Sequence, residues 1–201
     1  LDLQTPRDID IIFTGTTIQK TKNIELFFQI VEEIFQIRPE TKFAIVGYEK
    51  ETSLIKSRLP EVNIEFFGRI SKKELCNLFN RSRTHVITSG RDCFPRTIPE
   101  SMICGCFNIA LDILSDGLSI IRENPALGRV IDTSNCVPIL EPGYNISVLS
   151  TGSHIGGQIV EALESDFNHL AISTLSRHLM PIGGMVQLDK IWEEIDLNNN
   201  N

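Results

Sequence analysis

The sequence predicts an α/β protein, a three-layer domain with a mainly parallel sheet, helices on both faces and further helices at the C-terminal end. Two observations predict it. Short apolar runs rich in Ile, Val and Phe alternate with longer segments of helical period, the order of strand and crossover helix in a parallel sheet. The helical segments are apolar on one side, as helices laid on a sheet require, whereas the strand runs are apolar almost throughout, as strands covered from both sides require.

Residues 9–14 read as the first strand and 23–36 as the first helix, with Leu26, Phe27, Ile30, Val31 and Ile34 forming its apolar stripe and Gln29, Glu32 and Glu33 between them. A strand at 42–46 and a helix at 49–58 follow, then a strand at 62–67 and a helix at 72–80 that opens on the capping box Ser71-x-x-Glu74. Residues 84–88 form the fourth strand, 98–104 the next helix and 107–110 the fifth strand. Beyond Leu111 the pattern loosens into a short helix at 118–122 and a strand near 129–131. Pro138, Pro142 and Gly143 then break the chain before helical periodicity returns from His154 through Val160, Leu163 and Phe167 to Leu175 and Leu179. The division expected is a linker-like start at 1–8, one Rossmann-like domain at 9–180, a C-terminal helix at 181–197 and a disordered polar tail at 198–201.

Composition narrows what such a domain can bind. With 19 Lys and Arg against 26 Asp and Glu, the net charge of −7 leaves no electrostatic footprint for nucleic acid or an anionic membrane, so a phosphate ligand has to be held locally. No apolar run approaches the ~20 residues that span a bilayer, and Leu1-Asp-Leu-Gln-Thr-Pro-Arg-Asp has neither the basic region nor the apolar core of a targeting signal, so a cytoplasmic location is expected. That polar, Pro-containing opening without an initiator Met reads as a domain cut from a longer protein. Cys76, Cys93, Cys104, Cys106 and Cys136 lack zinc-ribbon spacing, and reduced, structurally packed thiols are expected. His85, His154, His169 and His178 show no metal-ligand spacing and stand beside no nucleophile motif.

Open parallel sheets bind ligands beyond the carboxyl ends of their strands, which puts the loops after Thr14, Val46, Phe67 and Thr88 on one rim. The most informative is the stretch from Ser89 to Glu100, where two carboxylates, Asp92 and Glu100, stand either side of a turn that opens into a helix. Unpaired amides and partial positive charge at a helix start suit a phosphate, and flanking carboxylates suit sugar hydroxyls. The same residues fit a plain capping box, Thr97-x-x-Glu100, with Glu100 folded back on the Thr97 amide and Asp92 a turn residue. In the first loop Gly15 permits close backbone approach and Lys20 or Lys22 suits a diphosphate, while Thr21 or Asn23 serves equally as a simple helix cap. Neither a P-loop nor G-x-G-x-x-G is present. In the third loop Gly68 and Arg69 offer main-chain groups or a guanidinium to a ligand, or form only a turn ahead of the Ser71 cap.

Taken in order, these signals resemble the C-terminal, nucleotide-sugar-binding domain of retaining glycosyltransferases of the GT-B fold, the group that carries an E-x(7)-E motif. The residues that carry the resemblance are Ser89, Asp92-Cys93-Phe94-Pro95, Glu100-Ser101-Met102 and Cys104-Gly105 ahead of Phe107-Asn108-Ile109-Ala110, with the family's spacing kept. It extends upstream to Gly15, Lys22-Asn23, Val46-Gly47 and Phe67-Gly68, and downstream to Asp116-Gly117. The resemblance implies the donor half of a hexosyltransferase that takes a UDP- or GDP-sugar. It also implies an acceptor held by a separate N-terminal domain of the same protein, with no metal or other cofactor. Asp92 and Lys22 would be the catalytic residues and Glu100 would hold the ribose hydroxyls. The chain from Phe94 through Pro95 and Arg96 to Thr97 would hold sugar and phosphate; Gly15, Thr16 and Lys22 would face the diphosphate, and Gly68, Arg69 and Ile70 the base.

Three positions depart from that family's pattern. Asp92 stands where Glu is usual and reaches one methylene less far, Cys93 replaces a glycine, and Thr16 replaces an arginine that supplies one of two cations at the leaving diphosphate. Lys22 keeps the other, with Arg69 or Arg96 as compensating cations. These changes predict weak donor binding and little transfer by the chain alone. They keep two other readings open: a non-catalytic binding module on the same fold, and half of a nucleotide-sugar epimerase.

Overall fold

A computed structural model describes residues 1–15, 22–48, 56–89, 95–112, 118–133, 136–141, 144–149 and 155–179. Six strands form one parallel sheet: β1 (Ile9–Thr14), β2 (Phe43–Val46), β3 (Ile64–Phe67), β4 (Ser82–Ile87), β5 (Phe107–Leu111) and β6 (Gly128–Ile131), in the order β3-β2-β1-β4-β5-β6. Between and after them lie α1 (Ile24–Ile37), α2 (Lys72–Arg81), α3 (Thr97–Ile103), α4 (Ser119–Glu123), α5 (Ile155–Leu163) and α6 (His169–Leu179). The α/β class and parallel sheet read from the sequence are the ones observed.

Strand order dictates the layers. From β1 the chain winds outward through α1 to β2 and β3, then returns past β1 by way of α2 to β4 and winds the other way. Right-handed crossovers in opposite directions put α1 on one face and α2 with α3 on the other. On the first face Phe27, Ile30 and Ile34 of α1 pack with Phe13, Phe43 and Ile45 of the sheet and Ile155 and Ile159 of α5; the Phe13 and Phe27 rings stack at 4.4 Å. On the second, Leu78 and Phe79 of α2 pack on Ile9, Ile12 and Ala44, while Ile98 and Met102 of α3 pack on Ile87, Ala110 and Ile172 of α6. The stripe Leu26, Phe27, Ile30, Val31 and Ile34 is buried as its spacing predicts.

Two regions differ from the sequence reading for identifiable reasons. The fourth strand begins at Ser82, directly after α2, because Ser82 pairs with Ile9 at the start of β1 and its hydroxyl donates back to Leu78 O at 2.7 Å. On the flank of that junction, Arg81 pairs with Asp8 at 2.7 Å and Arg83 with Asp10 at 3.3 Å. The region expected to be broken by Pro138, Pro142 and Gly143 instead holds an antiparallel hairpin, β7 (Cys136–Glu141) and β8 (Tyr144–Leu149), paired from Cys136↔Leu149 to Glu141↔Tyr144. Proline removes one donor and is tolerated in a two-stranded ribbon, where every strand is an edge. Of the helix expected at 49–58 only residues 56–58 are described, and they are helical; the segments expected at 181–197 and 198–201 lie outside the described residues.

The end of α3 has a clear local cause. Gly105 takes φ +83, its amide donates to Met102 O at 2.8 Å and the Cys106 amide to Ser101 O at 2.9 Å, the paired bonds of a Schellman stop. A Cβ at Gly105 would lie 2.7 Å from His169 O, so α6 also relies on the missing side chain. Arg7 reaches into the same corner, its guanidinium donating to Phe79 O at 3.0 Å and to Ser82 O and Cys104 O.

Candidate functional site

The winding direction reverses between β1 and β4, the place where open parallel sheets bind ligands beyond the carboxyl ends of their strands. Gly15 follows β1 and is held by its amide to Val46 O at 3.0 Å. A Cβ there would meet Phe13, Tyr48 and the Lys22 Cβ at 3.1 to 3.2 Å, so the glycine lets the start and the end of the first loop close on each other. The Thr88 hydroxyl, at the end of β4, donates to Lys22 O at 2.7 Å and to Asn23 O at 3.2 Å. First and fourth loops are thereby tied across the reversal, with half-buried Lys22 between them. Asn23 caps α1 with its backbone in the left-handed region, φ 54, where asparagine is among the least strained side chains, and makes no side-chain cap bond.

Helix α3 begins one residue earlier than a Thr97 cap would place it. The Ile98 amide donates to Pro95 O at 2.9 Å and the Glu100 amide to Arg96 O at 3.2 Å, so Arg96 holds the cap position without a side-chain cap bond. Thr97 is thus the first helical residue and not the cap that the box required. Half-exposed Glu100 has its Oε1 3.9 Å from Lys72 Nζ, the first residue of α2. That pair joins the first turns of α2 and α3. In the third loop the capping box read from the sequence does form: Ser71 Oγ accepts from the Glu74 amide at 3.2 Å and Glu74 Oε2 from the Ser71 amide at 2.8 Å. Gly68 O accepts from the Gly47 amide at 3.1 Å, Arg69 is exposed, and Ile70 packs on the core beside Phe67 and Leu75.

Beneath the rim lies a buried polar network centred on His85. Its Nε2 stands 3.1 Å from Thr14 Oγ1, and its Nδ1 stands 3.1 Å from both Ser101 Oγ and Asn108 Oδ1. The Asn108 amide nitrogen is spent on Cys106 O at 3.1 Å, so Oδ1 faces the ring as an acceptor and the ring proton belongs on Nδ1. Nε2 then accepts the Thr14 hydroxyl proton. Burial pushes the imidazole down to about 4, against the smaller upward pull of Asn108, and nearby Lys22 adds to the depression; the ring is neutral at pH 7.

Of the residues singled out by sequence, the structure brings Gly15, Lys22, Pro95, Arg96, Thr97 and Glu100 to the β1/β4 side of the rim. Gly68, Arg69 and Ile70 stand after β3, two strands from β1. Thr16, Asp92 and Phe94 lie outside the described residues, as does Lys20. The pattern did not single out Lys72 beside Glu100 or Thr88 as the tie between loops. Cys104 and Cys106 are buried as small apolar groups, whereas Cys76 is exposed. Among the described residues no helix is long and apolar enough to cross a membrane, and no cluster of three His, Cys, Asp or Glu could hold a metal.

Comparison with known proteins points the same way. Residues 3–135 match the family model described as Glycosyl transferases group 1. No curated protein sequence matches the chain. The chain is similar to the pneumococcal O-GlcNAc transferase GtfA, solved with UDP and GlcNAc, at TM-score 0.59 and 18% identity, over 96% of this chain and 37% of that one. HepE of Anabaena, solved with UDP-glucose, gives 0.63 and 15% over 94% and 49%. WaaG, a glycosyltransferase involved in lipopolysaccharide biosynthesis, gives 0.59 and 14% over 85% and 42%. At these identities the likeness is one of fold, and the chain spans less than half the length of each.

Proposed function

We propose, from the premise that this chain belongs to the group 1 glycosyl transferases, that it is the donor half of a glycosyltransferase and holds a nucleoside-diphosphate sugar across the carboxyl ends of β1 and β4. The observation that carries this reading is the tie from Thr88 to Lys22 and Asn23, which sets a lysine beside the end of β4 at the winding reversal. In the proposed complex Lys22 and main-chain amides of the fourth loop stabilise the charge that grows on the departing diphosphate, a task for fixed donors in a cleft that needs no metal. Glu100 accepts from the ribose hydroxyls, trading its exposed contact with Lys72 for them. Asp92 orients the donor sugar, Thr16 and Phe94 line the same pocket with Gly15, and Gly68 to Ile70 face the base. The acceptor belongs to a separate N-terminal domain of the same protein.

Uridine diphosphate is the first ligand to try, because GtfA was solved with UDP and HepE with UDP-glucose. Calorimetric titration of the chain with UDP, GDP and their sugars tests the proposal. Weak but saturable heat with one nucleotide, and no sugar transfer in the absence of an acceptor domain, is the expected result. Silence with every nucleotide would leave a non-catalytic module on the same fold. Conversion of a nucleotide-sugar with no acceptor added would favour the epimerase.

A further inference from the structure

Helices α2 and α3 meet through two matched rungs. Lys72 faces Glu100, and one turn further along both helices Cys76 faces Cys104, their sulfurs 3.5 Å apart. The equal four-residue step on each helix means the two run alongside each other in the same direction at this contact. Cys76 is open to solvent, while Cys104 is buried at the C-terminal cap of α3. The Asn80 amide, one turn on, lies 3.7 Å from the Cys76 sulfur. The third thiol of this corner, Cys106, is buried and donates to Phe79 O at 3.0 Å, so it is already engaged.

We propose that Cys76 and Cys104 are a redox-active pair that closes to a reversible disulfide, locking α2 to α3 one turn behind Glu100. An inter-sulfur approach of roughly 1.5 Å brings them to bonding distance, which a small adjustment of the exposed partner supplies. Their chemistry is divided by exposure. The hydrogen bond from Cys104 pulls the Cys76 thiol down to about 6, whereas the same bond and burial push Cys104 up. The accessible sulfur is therefore the nucleophile and the enclosed one resolves it.

With hydrogen peroxide as oxidant the steps balance. The Cys76 thiolate attacks a peroxide oxygen, the O–O bond breaks, and hydroxide leaves with a sulfenic acid on Cys76. The Cys104 sulfur then attacks that sulfenic sulfur, its proton goes to the departing hydroxyl, and water leaves as the S–S bond forms. Two electrons pass from the thiol pair to the peroxide, and a reduced dithiol takes the bond back by exchange.

The inference rests on the α2–α3 contact and stands apart from the donor reading, because its test counts thiols. The full chain is treated with one equivalent of hydrogen peroxide, alkylated, and mapped as non-reduced peptides. The expected product is a peptide linking Cys76 to Cys104, lighter by two hydrogens and separated again by dithiothreitol. In C104S, Cys76 is expected instead as a sulfenic acid captured by dimedone. Both thiols still alkylated after peroxide, or Cys76 linked to Cys93 or Cys136, would overturn the proposal.

Discussion

The floor and the rim of the β1/β4 reversal use the same strands and helices yet obey different physics. In the floor, Thr84, His85, Ser101 and Asn108 are buried, and their polar atoms are matched to one another, to Thr14 or to main-chain carbonyls. On the rim, Lys22 is half-buried, Lys72 and Arg96 are exposed, and Glu100 meets Lys72 in an exposed pair. Water cannot replace a lost partner in the floor, so each broken bond there costs a full desolvation. On the rim water replaces partners readily, so exchanging one partner for another costs little there. Stability and recognition are thereby separated within one layer of side chains.

The largest expected effect breaks the floor. Asn108→Ala removes the acceptor shared by His85 and Ser101 and should lower stability by roughly 3–4 kcal/mol, read from urea unfolding. Next comes pH. Burial lowers the folded His85 to about 4 from the 6.5 of a histidine in the unfolded chain, so its contribution is intact above about pH 6.5 and is lost as pH falls through 4. The loss amounts to about 3 kcal/mol, seen as a falling urea midpoint between pH 7 and pH 4, and His85→Gln should flatten that slope. A smaller effect is expected where floor meets rim. Thr88→Val removes the hydroxyl bonds to Lys22 O and Asn23 O and should cost about 1 kcal/mol while loosening the first loop and weakening nucleotide binding. The smallest falls on the rim itself: Lys72→Ala and Glu100→Gln should each shift stability by less than about 0.5 kcal/mol, yet Glu100→Gln should weaken nucleotide binding about tenfold by calorimetry. A Glu100→Gln variant that unfolds easily, or an Asn108→Ala variant that does not, would erase the distinction.

Much of this was legible in the sequence because it is written locally. Apolar runs and helical stripes give the order of strands and helices, and the Ser71 capping box spans only four residues. What the sequence hid is held together over distance. His85 meets Ser101, Asn108 and Thr14 across separations of 16, 23 and 71 residues, which no periodicity signals, so it read as an isolated strand histidine. The Glu100–Lys72 and Cys76–Cys104 rungs likewise exist only once α2 and α3 are laid side by side. The hairpin was missed because Pro138, Pro142 and Gly143 read locally as breakers, whereas a two-stranded ribbon accommodates Pro138 within its pairing. At Thr97 the local rule failed for a nearer reason: carbonyls of Pro95 and Arg96 already accept the first helical bonds, so the helix starts before the hydroxyl can cap it.

The measurement that bears most directly on the proposed donor site is amide chemical-shift mapping of the isotope-labelled chain during titration with UDP. If the β1/β4 reversal is the donor site, the largest shifts fall on Gly15, Lys22, Asn23, Thr97 and Ile98, and Glu100→Ala suppresses them while the rest of the spectrum is unchanged. Shifts concentrated instead on β6 around Gly128 and Arg129, or undiminished at the rim in Glu100→Ala, would contradict it.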